Sequence, residues 1–75
     1  MNKEMFLIYL KERGRSVRWL LEQLKDTEAS MSYSTIYKKL RGESEFTLSE
    51  IKQLSNILNF SDQEIMSVFF NFRVS

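Results

Sequence analysis

Apolar residues recur along this chain at three- and four-residue intervals, interrupted by two glycines and by clusters of small polar residues. That is the spacing of helices that bury one face. Phe6, Leu7 and Leu10 predict a first helix over Lys3–Arg13, and Gly14 stands where a left-handed helix-ending residue is wanted. Ser16 is a natural cap for a second helix carrying Val17, Leu20, Leu21 and Leu24, with Arg18, Glu22 and Gln23 on its other side and its end near Lys25–Asp26. The stretch Asp26–Ser32 is weakly periodic and reads as a turn, with Met31 as the residue expected to plug into the core. Ser32 then caps a third helix, Tyr33–Arg41, which points Ile36 and Leu40 inward and ends at Gly42. After a loop over Glu43–Phe46, Thr47-Leu-Ser-Glu50 has the form of a capping box, in which the hydroxyl and the carboxylate each satisfy a backbone N–H of the other's residue. It opens a fourth helix, Leu48–Leu58, expected to bury Leu48, Ile51, Leu54, Ile57 and Leu58. Ser61-Asp-Gln-Glu64 repeats the box and opens a fifth helix, Asp62–Phe70, carrying Ile65, Met66, Val68, Phe69 and Phe70. Five helices with short connections predict an all-α, compact five-helix bundle.

Length confines this to one domain: 75 residues leave no room for a second. A chain so short buries only a little over ~60% of its unfolded surface, so few apolar residues can be spared for the outside. Proline is absent. Cysteine and histidine are absent too, which removes disulfides, the usual zinc ligands, and the common general bases and thiol nucleophiles. No metal, no cofactor and no enzymatic activity are expected. The acidic pairs Glu43/Glu45 and Asp62/Glu64 fall in a loop and at a helix start, where acids favour the helix dipole rather than catalysis. No apolar run approaches the ~20 residues of a membrane span, and the start of the chain lacks the pattern of a secretory signal. A soluble, cytoplasmic protein is expected.

Charge adds an asymmetry. Residues 1–41 carry nine Lys/Arg against five Asp/Glu, a balance of +4, and residues 42–75 carry two against five, a balance of −3. The first half suits an anionic partner, although the same charges could simply coat solvated faces. Within that half, the third helix leaves Tyr33, Ser34, Thr35, Tyr37, Lys38, Lys39 and Arg41 outside, with hydroxyls at its start, cations toward its end and no acid between. A helix-turn-helix unit over about residues 16–41 is expected, its second helix suited to the DNA major groove with its N-terminal end inward; the alternative is an ordinary solvent-exposed helix of a small α-helical domain.

Ser32-Tyr-Ser-Thr-Ile-Tyr-Lys-Lys-Leu-Arg-Gly42 and Phe46-Thr-Leu-Ser-Glu-Ile-Lys-Gln-Leu-Ser-Asn-Ile-Leu-Asn-Phe-Ser61 resemble the helix-turn-helix family of lambda-repressor-like and Cro-like phage regulators, over about Leu7 to Phe70. The resemblance implies a five-helix lambda-repressor-like DNA-binding domain, binding to double-stranded operator DNA, and a homodimer. It assigns base reading to Tyr33, Ser34 and Lys38, contacts near the backbone to Thr35, Tyr37 and Arg41, and the start of the preceding helix to Ser16 and Val17. Lys39 and Arg18 are further expected phosphate contacts, which set register rather than sequence. Leu20, Leu24, Ile36 and Leu40 match the core positions of the unit. Two departures stand out: Leu21 where the family places a small residue, and a turn over Lys25–Met31 longer than the usual four or so residues.

Those departures motivate another class of function, a protein-binding modulator or antirepressor that docks on a phage repressor instead of on DNA. An antitoxin-like module that binds both DNA and a partner is a third. Trp19 is expected to be a packing residue. The second part of the chain, 47–75, ends in an apolar cluster of Phe69, Phe70, Phe72 and Val74, which either folds back on the core or meets a second copy or partner.

Overall fold

The computed structural model describes residues 1–70 and is helical throughout its regular structure, with no strand among the described residues. The helices are α1 (Lys3–Glu12), α2 (Val17–Leu24), α3 (Tyr33–Leu40), α4 (Leu48–Leu58) and α5 (Asp62–Ile65), the last running on into a wider π-helical turn, Met66–Phe70. Among the described residues no helix is long and apolar enough to cross a membrane. The Cα radius of gyration is 11.7 Å, close to the ~11 Å expected of a folded chain this long.

Each helix begins on a polar side chain that accepts an N–H of its first turn. Asn2 Oδ1 takes Met5 N–H at 3.0 Å, Ser16 Oγ takes Trp19 N–H at 3.1 Å, and Ser32 Oγ takes Thr35 N–H at 3.1 Å. Thr47 with Glu50 and Ser61 with Glu64 form reciprocal capping boxes, with bonds of 2.9–3.1 Å. Three helices end alike. Gly14, Gly42 and Asn59 have φ of +68°, +84° and +56°, the left-handed region that glycine enters at no cost and asparagine tolerates. Their neighbours close the last turn: Arg15 N–H to Leu10 O at 3.1 Å, Glu43 N–H to Lys38 O at 2.9 Å, and Phe60 N–H to Ser55 O at 2.9 Å.

The inward faces meet in one core of Phe6, Leu10, Val17, Leu20, Leu24, Ala29, Ile36, Leu40, Leu54, Leu58, Phe60, Val68 and Phe69. Phe6, Phe60 and Phe69 meet with ring centroids 6.3–6.4 Å apart, in edge-on and tilted arrangements that suit their quadrupoles. Asn2 N–H bonds Val68 O at 2.7 Å and ties the start of α1 to the π-helical turn. Arg13 fastens three helices together. Its Nε donates to Leu58 O at 2.6 Å, its Nη1 to Tyr9 O at 3.0 Å, and its Nη2 to both Glu64 carboxylate oxygens at 3.1 Å. The guanidinium also lies 4.9 Å from the Phe60 ring centroid.

Several expectations need correction. α1 stops at Glu12, which frees Arg13 for the clasp just described. Leu48 is not buried but 72% exposed. At about 100° per residue it lies at the margin of the face that Leu54 and Leu58 centre, and Ser55 is buried beside them instead. Ala29, not Met31, is the fully buried plug of the α2–α3 connection, with Met31 packed against the edge of the core. Leu21 is half-buried and packed against the core, so α2 accommodates its bulk at the periphery. The fifth helix is α-helical only to Ile65.

Candidate nucleic-acid interface

α3 has two sides with different chemistry. Ile36 and Leu40, one turn apart, are 0% and 2% exposed and hold the helix on the core. On the outer side Tyr33, Ser34 and Lys38 are exposed. Ser34 and Lys38 are separated by four residues, so their side chains share a face. Tyr33 and Tyr37, also four apart, bring their rings to 4.7 Å between centroids at a 45° tilt. The neighbouring Tyr33 hydroxyl, then partial burial, hold the Tyr37 phenol above its ordinary pKa.

The other predicted contacts on α3 are less free. Thr35 is half-buried, and its Oγ1 accepts the Ser32 hydroxyl at 2.9 Å. Arg41 Nε pairs with Glu43 Oε2, both side chains about half exposed. The acid-free surface expected of this helix is therefore corrected: Gly42 reverses the chain and swings Glu43 back beside Arg41. Lys39 is also corrected as a phosphate contact. Its side chain is only 11% exposed, and its Nζ donates to Glu50 Oε1 at 2.7 Å and to Glu45 O at 3.2 Å. Position decides this, because Lys39 lies on the flank of α3 that adjoins Leu40 and the start of α4 rather than on the Ser34–Lys38 face. Burial pushes the Glu50 carboxyl up, but the Lys39 ammonium and the Thr47 N–H outweigh it and hold it below its ordinary value.

α2 contributes from its start. Ser16 is exposed, and its oxygen is engaged by the Trp19 N–H. Arg18 is exposed and forms no ion pair among the described residues, as holds for Lys38. Arg15 was missed in the sequence. Its guanidinium carbon lies 4.3 Å from the centroid of Trp19, whose indole is half-buried against the core. The signal available for it was an arginine four residues before a tryptophan, spanning the helix start.

Residues 25–32, between α2 and α3, form an ordered hydrogen-bonded turn rather than a slack one. Asp26 takes a positive φ of 68°. Thr27 Oγ1 donates to Leu24 O at 2.6 Å and accepts Ala29 N–H at 3.1 Å, which seats Ala29 in the core. Ser49 Oγ donates to Glu28 at 3.3 Å, so the turn also touches the start of α4. Of the nearby acids, Glu43 thus lies at the end of α3 and Glu28 at the start of α4.

Of the expected partner-contact cluster, Phe69 is 9% exposed and belongs to the core, where its ring meets Phe46 edge-on at 5.7 Å. Of the two expectations for this residue, the fold-back on the core is the one observed, and the dimer or partner contact is corrected for Phe69. Phe70 is 40% exposed. Phe72 and Val74 lie outside the described residues. Comparison with protein-family models, curated proteins and solved structures found no match to this chain.

Proposed function

We propose that this chain is a DNA-binding transcriptional regulator, in which residues 16–41 act as the helix-turn-helix unit of a lambda-repressor-like domain and α3 enters the major groove. The observation that carries this reading is the outer face of α3. Ser34 and Lys38 stand one turn apart on a serine-capped helix whose opposite side is anchored by Ile36 and Leu40. Serine and lysine at that spacing can meet the donors and acceptors of base edges, lysine preferring guanine. Tyr33 adds a ring for a thymine methyl, and Tyr37 a neutral hydroxyl for the backbone. Ser16, Arg18 and Arg15 supply phosphate contacts from the start of α2. A homodimer in the cytosol would set two such helices ~34 Å apart, on successive major grooves.

The test is fluorescence anisotropy on a mixed duplex library at two salt concentrations. Wild type should bind with a steep salt dependence. Arg18→Ala should make the slope shallower by about one, and Lys38→Ala should lose about 1–3 kcal/mol on a selected site while relaxing its sequence preference. No binding at low salt refutes the reading.

One observation favours a second reading. Lys39 and Arg41 are satisfied within the chain, while Tyr33 is 53% and Leu48 72% exposed. An exposed tyrosine ring and an exposed leucine suit a protein partner such as a phage repressor, and in that case Tyr33→Ala, not Lys38→Ala, abolishes capture of the partner.

A further inference from the structure

The contact that removes Lys39 from the outer surface gives it another role. Its ammonium bonds Glu50 Oε1 at 2.7 Å, and the same oxygen accepts Thr47 N–H at 2.9 Å, so Lys39 closes the capping box that starts α4. Its second bond, to Glu45 O at 3.2 Å, reaches the loop between the two helices. The ammonium lies 5.7 Å from the Phe46 ring centroid, and Phe46 in turn meets the core at Phe69. Lys39 and Glu50 are 11% and 15% exposed, so water competes weakly for this pair.

The apolar anchors of α3 leave something for this clasp to do. Ile36 and Leu40 are four residues apart and lie nearly along one line parallel to the helix axis. Tyr37 also packs against the core on one flank of that line, and on the other flank Lys39 makes the contact that resists a roll. A roll of about 10° about that line moves a side-chain tip on the opposite face, about 10 Å away, by about 2 Å, enough to spoil a hydrogen bond to a base edge. Lys39 flanks the line and is fixed to a rigid helix start.

We propose that Lys39 is a positioning residue: through Glu50 it sets the roll of α3, and so the aim of Ser34 and Lys38, without touching DNA itself. This rests on the DNA-binding reading above, and one arm of its test does not.

That arm uses residual dipolar couplings of the free full-length protein, wild type against Lys39→Met, with Lys39→Gln as a second variant should the first fold poorly. The α3 amides should change their couplings while those of α1 and α4 keep theirs. Unchanged α3 couplings overturn the proposal. The other arm is duplex binding, corrected for the active fraction by stoichiometric titration. Lys39→Met should weaken binding on the order of tenfold with an unchanged salt slope, and adding Glu50→Gln should cost little more, since both changes break one contact. A slope shallower by about one means Lys39 touches phosphate and overturns the proposal, as does unchanged affinity or a fully additive double mutant. If wild type binds no duplex, the DNA reading fails by itself and the couplings alone decide whether Lys39 sets the roll of α3.

Discussion

Replacing Arg13 by Met keeps most of the side-chain stem and removes the guanidinium. Two backbone carbonyls then lose their donor: Leu58 O, in the last turn of α4, and Tyr9 O, near the end of α1. Helix-end carbonyls have no partner within their own helix, so the loss is not made good locally. A hydrogen bond from a charged donor contributes about 1.5–3 kcal/mol when buried. The Arg13 side chain is 26% exposed, and water can replace part of each bond. The two bonds together are therefore worth about 2–3 kcal/mol, with the solvent-facing pair to Glu64 left aside. A domain of this length has a total stability of roughly 4–11 kcal/mol, so Arg13→Met removes a large share of it. Urea titration should show a lower midpoint at an unchanged m-value, and the melting temperature should fall by about 10–20 °C. Arg13→Lys keeps the charge but lacks the planar fork, and should recover less than half of the loss. A loss below about 0.5 kcal/mol for Met, or full recovery with Lys, would show that the clasp does not hold the three helices together.

Three further outcomes follow from the core and the caps. Ala29→Leu forces extra volume into a fully buried site and should cost about 1–3 kcal/mol by chemical denaturation, whereas an unchanged midpoint would mean that the α2–α3 turn yields freely. Ser55 is buried, and its Oγ has no hydrogen-bond partner among the described residues; Ser55→Ala should therefore stabilise by up to about 1 kcal/mol, and a clear loss in a thermal melt would reveal a partner for that hydroxyl. The Glu50 carboxyl is held below its ordinary value, so it binds a proton less readily folded than unfolded. Its stabilisation is complete above the unfolded value and is lost as pH falls through the folded one. Glu50→Gln should accordingly flatten the acid limb of stability against pH below about pH 4–5, and an acid limb identical to wild type would argue against the Lys39 contact.

What could be read in the sequence was whatever depends on neighbours a few residues away. Ser16, Ser32, Thr47 and Ser61 cap helices because a short hydroxyl can reach an N–H three residues on, whatever the rest of the chain does. Gly14 and Gly42 end helices because the left-handed turn is cheap for glycine. Helical spacing was enough to place Leu20, Leu24, Ile36, Leu40, Leu54 and Leu58 inside. With Ile36 and Leu40 inward the pattern left Tyr33, Ser34, Thr35, Tyr37, Lys38, Lys39 and Arg41 outside; Tyr33, Ser34, Lys38 and Arg41 are exposed, and Thr35, Tyr37 and Lys39 are partly buried.

Tertiary structure decided the rest, because those features depend on groups far apart in sequence. Lys38 and Lys39 are alike in composition and adjacent in the chain, yet one is exposed and the other is held by Glu50 and the Glu45 carbonyl. A cation's partner cannot be inferred from spacing when the acid lies on another helix. The same reason hid Arg13, whose guanidinium meets Leu58 and Glu64, whereas Ala29 is buried by a local turn in which Thr27 bonds both Leu24 O and Ala29 N–H. Tertiary packing also hid the swing of Glu43 beside Arg41, since the direction in which a chain leaves a glycine is fixed by what packs after it. Local pattern determined which residues are helical and which side of each helix faces the core; the packing of the helices determined which charges were left free to meet a partner.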